Sequence, residues 1–162
     1  MKEPINYNLD HTTATVNLSL TPNRLIAQTR GKGVMDKPVE INIPLSDLKN
    51  FCLVPTIKFQ NLESIRSKGD HTYDSEFIFS YFKAAKIKKK RVFVNSQDHS
   101  FILWINELQR LCPEADLLHI SPAEAMKKMD VLRATSAAKI FIGILVGTAI
   151  IATIVFIFSK LA

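Results

Sequence analysis

Residues 13–20 read Thr13-Ala14-Thr15-Val16-Asn17-Leu18-Ser19-Leu20. Ala14, Val16, Leu18 and Leu20 share one parity; Thr15, Asn17 and Ser19 share the other. Successive side chains of extended backbone point to opposite faces, so a period of two marks a half-buried strand. Thr21-Pro22-Asn23 then has turn chemistry, and Arg24 to Arg30 returns as the second strand of a hairpin.

The pattern repeats further on. Val39, Ile41, Ile43 and Leu45 alternate with Glu40, Asn42 and Pro44. Pro44 has no N–H to give to a ladder, which places that end at a sheet edge or a strand exit. Ser46-Asp47-Leu48 reads as a short turn. Phe51, Leu53, Ile57 and Phe59 alternate with Cys52, Val54 and Lys58, broken near Pro55. Gln60 to Ser75 is polar and reads as a long loop. Glu76 to Phe82 is aromatic-rich and strand-like, Ala84-Ala85 is a turn, and Lys88 to Asn95 returns beside it. Both parities of that pair carry apolar residues, so its inward face stays open. Lys88 and Lys90 lie with Val92 and Val94; Lys89 and Arg91 lie with Phe93.

The period then changes. Phe101, Ile105, Leu108 and Cys112 fall at helical spacing, with Trp104 and Leu111 beside them, and Pro113 ends the pattern. The expected fold is mainly β: a small antiparallel barrel or sandwich of six to seven strands closed by a C-terminal α-helix, over residues 1–112. Residues 113–139 follow as a linker and juxtamembrane helix. Ser121-Pro122-Ala123-Glu124 has the makings of a capping box. No Pro or Gly interrupts Ala123 to Ile142, so this helix is predicted to run on as a long stalk, solvated or partly in the headgroup layer.

Ile140 to Phe158 holds nineteen residues without a charge. As a helix it is about 28 Å long, close to the thickness of a bilayer's hydrocarbon. It is apolar all round, as a membrane span is and a surface helix is not. The expectation is a single-pass, tail-anchored membrane protein with 159–162 as a short tail. Lys127, Lys128, Arg133 and Lys139 precede the span and only Lys160 follows it, which places the N-terminal domain in the cytoplasm. Gly143 and Gly147 form a small-xxx-small pair that would let two spans pack closely as a homodimer. Residues 1–10 carry no apolar run of the kind a secretory signal needs. Cys52 and Cys112 form no metal or redox motif and read as free, buried thiols.

The net charge is +6, and Lys83, Lys86, Lys88, Lys89, Lys90 and Arg91 supply six positive charges within nine residues. The basicity is one local patch. On a membrane-tethered domain that points first to anionic lipid and only second to nucleic acid. A solvated strand edge protected by lysines would look the same.

Three stretches resemble a known family. Glu40-Ile41-Asn42-Ile43-Pro44-Leu45-Ser46-Asp47-Leu48 is similar to a strand followed by I-P-L-S-D-I. Phe77 to Asn95 is a hairpin with a lysine-rich return strand. Trp104-Ile105-Asn106-Glu107-Leu108 is similar to the W-I-x-x-L of a closing helix. Together they resemble the pleckstrin-homology-like superfamily, with its bacterial PH-like and GRAM-like members, over about residues 5–112. The resemblance implies a small β-domain plugged by its last helix.

Site chemistry is sparse. His11, His71, His99 and His119 are scattered, and there is no P-loop, dinucleotide motif or nucleophile elbow. Asp70, His71, Asp74 and Glu76 form an acidic cluster, thinner in oxygen ligands than a calcium loop. Arg30-Gly31-Lys32-Gly33 could cradle a phosphate or simply tip a hairpin. Trp104 reads as a core aromatic. No enzyme activity, cofactor or metal is expected. The expected function is a membrane-tethered, non-catalytic binding or adaptor module that reads a protein partner or anionic lipid. The alternative is a structural subunit assembled through its transmembrane helix.

Overall fold

A computed structural model describes residues 3–11, 14–33, 35–56 and 73–131. The first four strands form one antiparallel meander in the order β1-β2-β3-β4. They are β1 (Ile5–Asp10), β2 (Ala14–Leu20), β3 (Arg24–Gly31) and β4 (Val39–Pro44). Register explains why: Ile5 faces Leu20, Leu20 faces Leu25 and Leu25 faces Ile43, while Tyr7, Leu18, Ala27 and Ile41 form the next row. Apolar side chains thus meet in rows across one face, and such cross-strand pairs are what stabilises a sheet. The predicted turn at Thr21 is closed twice, by the Thr21 N–H on the Arg24 carbonyl at 3.0 Å and by the Arg24 N–H on the Thr21 hydroxyl at 3.1 Å. β1 is a strand additional to those predicted from the sequence.

β4 is an edge strand, as Pro44 predicts. A 3-10 turn at Leu45–Asp47 swings the chain into a second sheet. That sheet has the order β5-β6-β7, from β5 (Leu48–Pro55), β6 (Ser75–Lys83) and β7 (Lys86–Val94). Predicted strand positions Ile57 and Phe59, and loop residues 60–72, lie outside the described residues. Phe51, Phe77, Phe79, Val92 and Val94 are buried toward the first sheet, which settles the parity of the hairpin. Cys52, Ile78 and Ser80, of the opposite parity, are buried as well. Among the described strands no ladder joins the two sheets, so the molecule is not a closed barrel: of the two expected shapes only the two-sheet one stands.

α1 (His99–Leu111) starts at Asp98, whose carboxylate accepts the Ser100 N–H at 2.8 Å. Phe101, Trp104, Ile105 and Leu108 form its buried stripe. The Phe77 ring meets Trp104 edge to face at 5.2 Å and Tyr7 meets Phe101 at 5.0 Å, so α1 ties both sheets into one core. The chain after α1, expected as the start of a linker, is fastened to the domain. Leu117 donates to the Phe51 carbonyl at 3.0 Å, and Asp116 accepts from Gln109 at 2.9 Å and from the Leu118 N–H at 2.7 Å. The compact unit that holds both sheets runs to Ala125.

α2 (Pro122–Lys128) opens with the predicted capping box: Glu124 accepts from the Ser121 hydroxyl at 2.8 Å, and the Glu124 N–H points back to that hydroxyl at 3.3 Å. It does not run on as a stalk. Asp130 takes a left-handed φ of 51°, the Val131 N–H reaches the Met126 carbonyl at 2.8 Å, and the Asp130 N–H reaches Lys127 at 3.0 Å. These two bonds make a Schellman stop. The long uninterrupted helix predicted from Ala123 is therefore corrected to two turns, because an aspartate takes the left-handed position usually given to glycine. Among the described residues no helix is long and apolar enough to cross a membrane. The predicted span 140–158, with Gly143 and Gly147, lies outside them.

Candidate functional site

The β6–β7 hairpin extends past the core. Lys83 pairs with Lys86 across a two-residue turn, and Phe82 pairs with Ile87 one step back. Ala84 and Ala85 have φ of 49° and 62°. Two left-handed residues in a row are the pattern of a type I′ turn, normally given to Asn-Gly because a Cβ is disfavoured there.

The structure divides the six predicted basic residues by parity and by position along the strand. Lys83, Lys86 and Lys88 share the core-side parity at the turn end of the hairpin, and all three are exposed. Lys90 lies over the core, where its ammonium donates to the Thr29 hydroxyl at 3.4 Å. Lys89 and Arg91 are on the opposite face, and Arg91 pairs with Glu76 at 3.6 Å. The end of the hairpin therefore has a lysine side, Lys83, Lys86 and Lys88, and an apolar side. Phe82 and Ile87 on that second side are 45% and 43% exposed.

Lys49 joins this site from β5. Its ammonium lies 5.9 Å from the Phe82 ring centre, in cation–π reach. The register shifts between Leu48 and Asn50, and a bulge of that kind re-aims the extra side chain. Nothing in the sequence around Lys49 signals this, since its partner is thirty-three positions away. Phe82 and Ile87 could have been found by asking which apolar residues flank the turn.

The other candidate sites are already committed. The Gly33 N–H donates to the Asp36 carboxylate at 2.9 Å, and a Cβ at Gly31 would collide with the same group. A carboxylate thus occupies the place a phosphate would take in the Arg30–Gly33 loop. Lys32 pairs with Asp10 at 2.7 Å. Asp74 of the acidic cluster accepts from the Ser96 N–H at 2.7 Å and the Ser96 hydroxyl at 2.6 Å, while Asp70 and His71 lie outside the described residues. No group of three metal-ligating side chains occurs among the described residues. Trp104 is fully buried. Cys52 is a free, buried thiol, pushed up to about 11 by burial; Cys112 is also free but only half-buried, and burial raises it.

Comparison with known protein families, with curated proteins and with solved structures yields no match.

Proposed function

We propose that this chain is a non-catalytic binding module held at a membrane, and that it reads the anionic surface of the bilayer through the lysines of the β6–β7 hairpin. The observation that carries the reading is the convergence of Lys49 with Lys83, Lys86 and Lys88 around one hairpin end. Each basic residue near an anionic leaflet contributes about 1 kcal/mol, so four give roughly 4 kcal/mol before geometry reduces it. Edge protection alone is a weaker account. A protected edge carries lysine in place of apolar residues, whereas here Phe82 and Ile87 are exposed beside the lysines.

The domain is PH-like in this reading. Support comes from a four-stranded and a three-stranded antiparallel sheet followed by a helix bearing Trp104 and Leu108. Ile140 to Phe158 supplies the anchor, with the domain on the cytoplasmic side.

The test is lysine footprinting of the full chain in lipid nanodiscs of phosphatidylcholine, with or without phosphatidylserine. Reductive methylation of Lys83, Lys86 and Lys88 should slow in the anionic discs and recover as salt rises, since screening acts over about 8–10 Å. Equal labelling in both discs overturns the reading.

A further inference from the structure

The hairpin tip is built against its own local preferences. Its turn places two alanines at positive φ, where Asn-Gly would be unstrained and well hydrated. Local choices that contradict the backbone concentrate at functional sites. The alanines carry no side-chain polar group. With Phe82 and Ile87 behind them they make a continuous apolar end, Phe82-Ala84-Ala85-Ile87, and all four residues are exposed. Around this end stand Lys49, Lys83, Lys86 and Lys88, each on a long aliphatic stem that can keep its ammonium at the headgroups while the backbone goes deeper.

An apolar protein groove would match the Phe82–Ile87 pair but would have to desolvate four lysines. An anionic bilayer matches both: headgroups for the cations and acyl chains for the pair. We propose that the tip of the β6–β7 hairpin enters an anionic bilayer, with Phe82 and Ile87 beneath the headgroups and Lys49, Lys83, Lys86 and Lys88 among them. This rests on the reading of the hairpin as a lipid-facing surface and adds to it a depth, an apolar anchor and a reason for the alanine turn.

Trp104 is the sole tryptophan and is fully buried, so it gives a fixed background against which a tryptophan placed at the tip is read. The experiment uses the full chain as Ile87→Trp in nanodiscs with brominated acyl chains, with the unaltered chain as blank. In discs containing phosphatidylserine the added emission should shift to shorter wavelength and lose intensity to bromine. In phosphatidylcholine discs it should do neither. Phe82→Trp, on the partner strand, should behave the same way, and Ala84→Asp in the Ile87→Trp chain should abolish the quenching. If bromine quenches neither reporter while Lys83, Lys86 and Lys88 are still shielded in anionic discs, the surface reading holds and entry is overturned. Absence of both quenching and shielding overturns the two together. Equal quenching in neutral and anionic discs overturns the role given to the lysines.

Discussion

The Asn95 N–H donates to the Tyr7 phenol oxygen at 2.8 Å, joining the first strand of one sheet to the end of the last strand of the other. Tyr7 is fully buried and its ring packs edge-on against Phe101. Tyr7→Phe keeps that ring contact and strands the Asn95 amide. A fully buried donor left unpaired costs about 1–3 kcal/mol, and Asn95 is half-buried, so the cost falls toward the lower end. Chemical unfolding of the full chain in neutral detergent should therefore show a lower midpoint with an unchanged slope. An unchanged midpoint means water replaces the phenol.

Alkaline pH should loosen the same core. Burial pushes the Tyr7 phenol up from 10.0 to about 12, against the lowering effect of the Asn95 hydrogen bond, with Asp98 and Asp74 adding to the rise. Burial likewise raises Cys52 from 9.0 to about 11, slightly opposed by Arg91. For both groups the folded state holds its proton where the unfolded chain has lost it. Stability is therefore flat below about pH 9 and falls as pH rises through 9–12. Shifts of this size correspond to roughly 2 kcal/mol per group at most. Unfolding midpoints across that range should fall less steeply in Cys52→Ala than in the unaltered chain.

β2, β4 and α1 are legible because their apolar residues keep a single period, and β3, β6 and β7 because turn residues at Thr21-Pro22-Asn23 and Ala84-Ala85 bound their apolar runs. β1 carries the same alternation, Ile5, Tyr7 and Leu9 against Asn6, Asn8 and Asp10, but over only six residues, and its pairing with β2 shows that those three form an inner row. The inward face of β7 depends on position along the strand. Val94 and Val92 are buried in the core, whereas Lys88, of the same parity, faces Tyr81 near the turn and is exposed. The end of α2 was hidden because left-handed backbone at Asp130 is a tertiary outcome that glycine would have announced. Lys49 reaches the hairpin through a bulge, which no periodicity encodes.

Trp104 offers a separate check on core energetics. Its indole N–H is buried without a hydrogen-bond partner among the described residues. Trp104→Phe removes that orphan donor, recovering about 1–3 kcal/mol, and leaves a small void costing roughly the same. The net change should be within about 1 kcal/mol, whereas Trp104→Ala should cost about 3–5 kcal/mol. Far-ultraviolet circular dichroism during denaturation measures both. A large loss in Trp104→Phe would show that the N–H has a partner after all.

Asp130 should tolerate only a narrow set of replacements. Its φ of 51° closes the Schellman stop of α2. Asp130→Gly removes the Cβ penalty and should be neutral or stabilising by up to about 1 kcal/mol. Asp130→Val places a β-branched residue in the left-handed region and should cost more than that. Hydrogen exchange of the Val131 amide reports the motif directly: protected in the glycine variant, fast in the valine variant.

The alanine turn should trade stability against membrane entry. Left-handed backbone costs an L-residue roughly 1–2 kcal/mol, and Ala84 and Ala85 both adopt it. Ala84→Asn with Ala85→Gly restores the residues a type I′ turn prefers. The double variant should raise the unfolding midpoint by the equivalent of about 1–3 kcal/mol. The same change puts a polar amide and a bare backbone at the tip, which lipid disfavours. In the Ile87→Trp chain it should reduce quenching by brominated lipid in anionic discs even as the fold becomes more stable. Opposite movement of the two measurements is the signature of a turn selected for where it goes. A gain in stability with quenching unchanged would assign the alanines no part in membrane entry.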